Sequence, residues 1–132
     1  MSRTLPASGA PYGCSVDPRN RDLAVSNLSS YLYGSISVYP KAAGKPKSYF
    51  NAMVNSTYFC GYDAHGNLLI DANDRSGAFI LVELPDGGEH LKIVGPNDQG
   101  GGPVGFWKYP AGRSPYKTLA GLLEPLGATI SR

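Results

Sequence analysis

The chain is poor in charge, in sulfur and in long apolar runs. Only 17% of its 132 residues are charged, for a net charge of +2. Binding phosphates needs basic side chains gathered on one face, and the nearest cluster, Lys41, Lys45 and Lys47, is broken by Gly44 and Pro46. It reads as a solvated loop, which sets nucleic acid aside as a partner. No apolar run reaches the about 18 residues of a membrane-spanning helix, and residues 1–13 hold no signal-peptide core. The expectation is a soluble chain with no membrane partner and no export signal, its localisation left open. Two cysteines make at most one bridge, and without an export signal reduced thiols are expected. Two methionines and the absence of ten-residue stretches with helical apolar spacing speak against helical repeats.

The chain does have seventeen glycines, eleven prolines and nine tyrosines, with 42% hydrophobic residues. That mixture favours short strands joined by tight turns around one modest core, an all-β fold. It also has a repeat. YGCSVD at residues 12–17 and YFCGYD at residues 58–63 share Tyr, Cys and Asp in register. Each is followed by a turn and an apolar run, Leu23 to Val25 and Leu68 to Ile70. Further on, SISVYP at residues 35–40 matches ILVELP at residues 80–85, each leading to a glycine and a lysine, Gly44 with Lys47 and Gly88 with Lys92. The period is about 45 residues, and one unit holds four short strands connected as a meander.

These motifs resemble the NHL-type and TolB-like six-bladed β-propellers of bacteria. The likeness lies in the pattern Tyr-x-Cys-x-Tyr-Asp-x-x-Gly-Asn-Leu followed by x-Leu-x-Glu-Leu-Pro-x-Gly-Gly, and it covers residues 11–94. It implies two four-stranded antiparallel blades: residues 1–10 as a tail, 11–54 as blade one, 55–94 as blade two, and 95–132 as a Gly/Pro-rich linker with a short helical tail. It also implies that Cys14 and Cys60 lie on the innermost strand of each blade, and the parent family is often exported. The tail leaves the repeat. Ser114 and Pro115 can start a helix, with Leu119, Leu122, Leu123 and Leu126 as its apolar stripe and Pro125 as its limit. Two blades do not close a ring, so the expectation is a fragment of a longer propeller, with an altered reading frame after Gly102 as one origin of the tail, ahead of a homo-oligomer that completes the ring.

The residues that look chemical have structural readings. Asp63, Gly66 and Asn67 fall between two apolar runs, where a hairpin loop needs an acid to accept backbone N–H groups and a glycine for positive φ. Asp17 leads the corresponding turn, in which Pro18 and Asn20 suit the same backbone but share little side-chain chemistry. His65 has no counterpart in the first repeat, and His90 is expected in a separate outer loop, so both are read as solvent-exposed and no zinc set converges. Asp71, Asn73 and Asp74 imitate the start of a calcium loop, but Ser76 and Val82 stand where it needs glycine and glutamate. Cys14 and Cys60 have no histidine nearby in sequence, and are read as equivalent buried thiols packed between blades. Gly100, Gly101 and Gly102 lack the lysine and hydroxyl residue of a phosphate loop. Some of the tyrosines could line a ligand face. No cofactor is implied. The expected function is a non-enzymatic binding or scaffold module for a protein, peptide or glycan; the alternative is part of a lactonase-like, metal-dependent propeller hydrolase or lyase.

Overall fold

A computed structural model of the chain describes residues 4–7, 9–30, 33–96, 104–106, 108 and 115–120. They form two four-stranded antiparallel sheets and a small hairpin. The first sheet runs β1 (Pro11–Val16), β2 (Leu23–Ser30), β3 (Tyr33–Tyr39) and β4 (Lys47–Phe50) in chain order. The second runs β5 (Val54–Tyr62), β6 (Leu68–Asp74), β7 (Phe79–Leu84) and β8 (Lys92–Pro96), again in chain order. Both are meanders, because each strand is followed by a turn too short for anything but an antiparallel return. A single 3-10 turn at Pro40–Ala42 is the one helical element among the described residues.

Alternation along the strands sorts the side chains. In the first sheet the registers put Ala24, Ser26, Ile36, Val38 and Tyr49 on one face and Cys14, Leu23, Val25 and Ser37 on the other. In the second they put Cys60, Leu68, Ile70, Val82 and Leu84 on one face and Leu69, Asp71, Leu81 and Glu83 on the other. Ala24 and Ile36 share one buried cluster with Cys60, Leu68, Ile70, Val82 and Leu84, with Val38, Tyr49 and Tyr62 packed against it. Opposite kinds of face therefore meet. Cys60 and Ile70 face the first sheet, whereas their sequence counterparts Cys14 and Val25 point away from the second. Side chains such as Leu68, Ile70 and Val82, all nearly fully buried, contribute about 1.5–3 kcal/mol each.

Strand β5 lies very close to the first sheet. A Cβ added at Gly13 would fall 2.7 Å from the Tyr58 carbonyl oxygen, and one at Gly34 would fall 2.6 Å from the backbone of Ser56 and Thr57. Polar groups stitch this crossing. The buried Thr57 hydroxyl donates to the Asn27 carbonyl at 2.8 Å, with the Ser35 carbonyl at 3.1 Å. Ser26 Oγ accepts from the Gly13 N–H at 2.9 Å and bonds the Tyr58 carbonyl. On the opposite face of the first sheet, Asn27 Nδ2 donates to Ser37 Oγ at 3.0 Å, and both side chains are buried. A covered seam of this kind is tolerable only because its donors and acceptors are paired.

The tail departs from the sequence expectation. Residues 117–119, expected in a helix with Leu119 on its stripe, form strand β10 (Lys117–Leu119), paired antiparallel with β9 (Val104–Phe106). The Phe106 and Tyr116 rings meet at 6.4 Å, and the Lys117 ammonium lies 5.7 Å from the Phe106 ring centre. Cross-strand packing has overridden the leucine spacing. Ser114, Leu122, Leu123, Pro125 and Leu126 lie outside the described residues. No helix among the described residues is long and apolar enough to cross a membrane.

Replacing Gly34 with alanine should drive a methyl group into the β5 backbone and lower the unfolding free energy by about 1–3 kcal/mol or more. Chemical denaturation reads this directly; an unchanged midpoint would contradict the close approach.

A candidate binding cleft between the turns

The turns between strands bring the site together. The β5–β6 turn begins at Asp63, whose Oδ1 accepts the N–H groups of His65 and Asn67, both at 2.8 Å, and whose Oδ2 accepts Asn67 Nδ2 at 2.8 Å. Gly66 takes φ 86°, a left-handed conformation that costs other residues more. The β6–β7 turn repeats the device. Asp74 Oδ1 accepts the N–H groups of Ser76 at 2.8 Å and Ala78 at 3.0 Å, and Gly77 also takes φ 86°. DAHGN and DRSGA share an acid and a glycine three positions apart, the signal that identifies the second turn; a calcium-loop reading of Asp71, Asn73 and Asp74 misses it. Asp71 and Asn73 belong instead to the outer face of β6.

The β1–β2 turn carries a longer reach. Asp17 is 1% exposed, its Oδ1 accepts the Arg19 N–H at 2.8 Å, and Arg21 adopts φ 68°. The Arg19 guanidinium grips both Asp17, at 3.1 Å, and Asp86 of the β7–β8 turn, at 2.9 Å. It passes directly over Gly66, where an added Cβ would collide with it. The Asp86 N–H donates to Asn67 Oδ1 at 2.9 Å, so Asp17, Arg19, Asp86, Asn67 and Asp63 form one chain of contacts across three turns and both sheets. The bidentate geometry makes this ion pair stronger than a simple charge contact, although water screens its exposed arm.

Charge states follow from these bonds. The hydrogen bonds that the Arg19 guanidinium donates to Asp86 and then Asp17 hold it above its usual range, and the same bond holds Asp86 below the usual carboxylate range. At Asp63 burial opposes ionisation, but hydrogen bonds from the Asn67 side chain and from the Asn67 and His65 backbone outweigh it, so its pKa is lowered. The Ser76 hydroxyl, followed by backbone N–H groups, lowers Asp74.

Beside this chain of contacts lies a cleft of about 160 Å3, lined among others by Asn20, Asp22, Lys47, Tyr49, Tyr62 and Gly87. Asp22 Oδ1 is held by the Lys41 N–H at 2.8 Å, and the Lys47 ammonium lies 5.0 Å from the Tyr49 ring centre. Burial, with Asp17 and Asp22 adding negative charge, raises the Tyr62 pKa, so its phenol stays neutral and able to donate. The cleft thus offers a carboxylate, an amide, an ammonium and two aromatic hydroxyl groups around a space the size of one side chain or one sugar ring. Of the sequence candidates, Asp17 and Gly66 line it, while Asp63 and Asn67 shape the turn behind. Arg19 and Asp86 are the members sequence reading missed.

The thiols separate. Both are free, Cys14 exposed and Cys60 buried. The equivalence expected of them fails because the second sheet covers the strand face that carries Cys60, while the matching face around Cys14 is open. Burial, with a smaller contribution from Cys14, pushes the Cys60 thiol up to about 12. His65 and His90 are exposed on different turns. Among the described residues no group of three or more His, Cys, Asp and Glu side chains is placed to hold a metal ion. Comparison with family models, with curated proteins and with solved structures finds no match for this chain.

In the native state Cys14 should react with a thiol reagent in minutes while Cys60 reacts only on unfolding; equal rates measured by mass spectrometry would contradict the burial. Asp63→Ala should cost about 1–3 kcal/mol in denaturation, since it strands the turn's donors. The stability from Asp63 should be full above the ordinary carboxyl value of 3.8 and be lost as pH falls through its lowered native value. Acid titration of Asp63→Asn against the parent checks this, the variant showing the shallower decline.

Proposed function

We propose that the chain is a non-enzymatic binding and scaffold module, built from two blades of the propeller type, that takes a protein, peptide or glycan in the cleft between its turns. The observation that carries this reading is the stacking of two like meanders with opposite faces in contact, an arrangement in which one blade prepares a seat for the next. The state of the acids supports it. Asp17 and Asp86 are bound to Arg19, and Asp63 and Asp74 hold turn N–H groups, so these carboxylates do structural work. The cleft-lining groups Tyr49, Tyr62 and Lys47, the two tyrosines half-buried and the lysine exposed, are of the kinds that recognise ligands by stacking and hydrogen bonding.

The test is a screen of the purified chain against glycan and peptide libraries, run beside a panel of esters and lactones. Capture without turnover, with NMR shifts centred on Asn20, Lys47, Tyr49 and Tyr62 and abolished in Tyr49→Ala, is the expected result. Hydrolysis of an ester or lactone that disappears in Asp22→Asn would overturn the reading.

A further inference from the structure

The cleft between the turns holds its charges at different depths. Asp17 is 1% exposed, and Asp22 is half-buried at the entry to β2. The bases stand further out. Lys47 lines the cleft from an exposed position, and Arg21, Lys41 and Lys45 are exposed on the neighbouring turns. Three carboxylates, Asp17, Asp22 and Asp86, line the space, against two cations, Lys47 in the lining and Arg19 beside it. One negative charge is left over. Arg19 is committed to Asp17 and Asp86. Asp22 has no ion pair among the described residues: its Oδ1 takes the Lys41 N–H at 2.8 Å, and its second oxygen takes no hydrogen bond. The raised pKa of Tyr62 reports the same balance at the cleft wall. After burial, its next causes are the negative charges of Asp17 and Asp22, which no base offsets there.

We propose that the cleft receives a cation, the ammonium or guanidinium group of a lysine or arginine side chain presented by a protein or peptide partner. The inference rests on the binding reading of this cleft and narrows it to one kind of group. The unused Asp22 oxygen gains more from a charged donor than from a neutral hydroxyl, because hydrogen bonds between ionised groups are about twice as strong. An anion in the same space would meet the deeper acids, while the bases that could attract it lie out in water, where their charges are screened. The Tyr49 ring already carries a cation at its face, the Lys47 ammonium at 5.0 Å, so this wall accepts an alkylammonium by ring contact. The neutral Tyr62 phenol adds an acceptor oxygen. A space of about 160 Å3 suits the end of one long side chain. Lys47 is then the internal competitor, since it shares the Tyr49 ring and its charge offsets that of Asp22.

The probes are blocked tripeptides centred on lysine, arginine, Nε-acetyllysine or glutamate, with methyl glucoside as a neutral control, each titrated into the full chain and followed by NMR. The lysine or arginine peptide should shift Asn20, Asp22, Tyr49 and Tyr62, and the acetyllysine and glutamate peptides should not. Asp22→Asn keeps the oxygen that takes the Lys41 N–H, yet should weaken the cationic peptide at least about fivefold, the effect of one charge at contact distance in water. Lys47→Met should tighten it, and added salt should weaken it. Amide spectra of both variants check that the fold is retained. No binding of either cationic peptide, equal binding of the acetyllysine or glutamate peptide, or weaker binding in Lys47→Met would overturn the proposal. Methyl glucoside or a neutral peptide bound at these residues in place of the cationic ones defeats the cation and keeps the binding reading. Turnover of an ester or lactone that Asp22→Asn abolishes defeats that reading, whatever the peptides do.

Discussion

The structure depends on how closely β5 can lie on the first sheet. Two bare backbone positions, Gly13 and Gly34, admit the strand where a methyl group would come within 2.7 Å of it. Ser26 and Thr57 then satisfy the carbonyls that the crossing removes from water. Small residues and local hydroxyls are needed together: without the first the sheets stand apart, and without the second the seam buries polar groups at a cost that packing would not offset. Once the crossing is set, the face bearing Cys60, Ile70 and Val82 falls on Ala24 and Ile36, and the core closes.

The same crossing brings three turns to one end. Two of them are stiffened from within by an acid that accepts N–H groups, Asp17 or Asp63, and the third, at Asp86, is tied to both through Arg19 and Asn67. Between turns, Arg19 couples the first sheet to the second through Asp86. The walls of the cleft are therefore braced before any ligand arrives, which limits the ordering cost that binding would incur.

Local features were legible in the sequence and distant ones were not. The meanders could be read because Tyr, Cys and Asp recur in register and the apolar runs alternate with Gly- and Pro-rich turns; the structure has the two four-stranded sheets that this implies. Asp63, Gly66 and Asn67 could be read because their partners lie within four positions. Arg19 could not, because Asp86 is 67 positions away and only sheet stacking brings them together. Cys14 and Cys60 share a motif, yet their surroundings differ because a sheet covers only one of them. In the tail, the spacing around Leu119 suggested a helix, and pairing with Val104–Phe106 decided otherwise.

The meander connectivity has a kinetic consequence. Every strand within a sheet pairs with its neighbour in sequence, so each sheet is assembled from short-range loops that close quickly. The seam between Gly13, Gly34 and β5 joins positions far apart in the chain, and its formation carries the entropy of the largest loop. Docking of two preassembled hairpin arrays is then the slow event of folding, and substitutions at the seam should alter the refolding rate more than those at the turn ends.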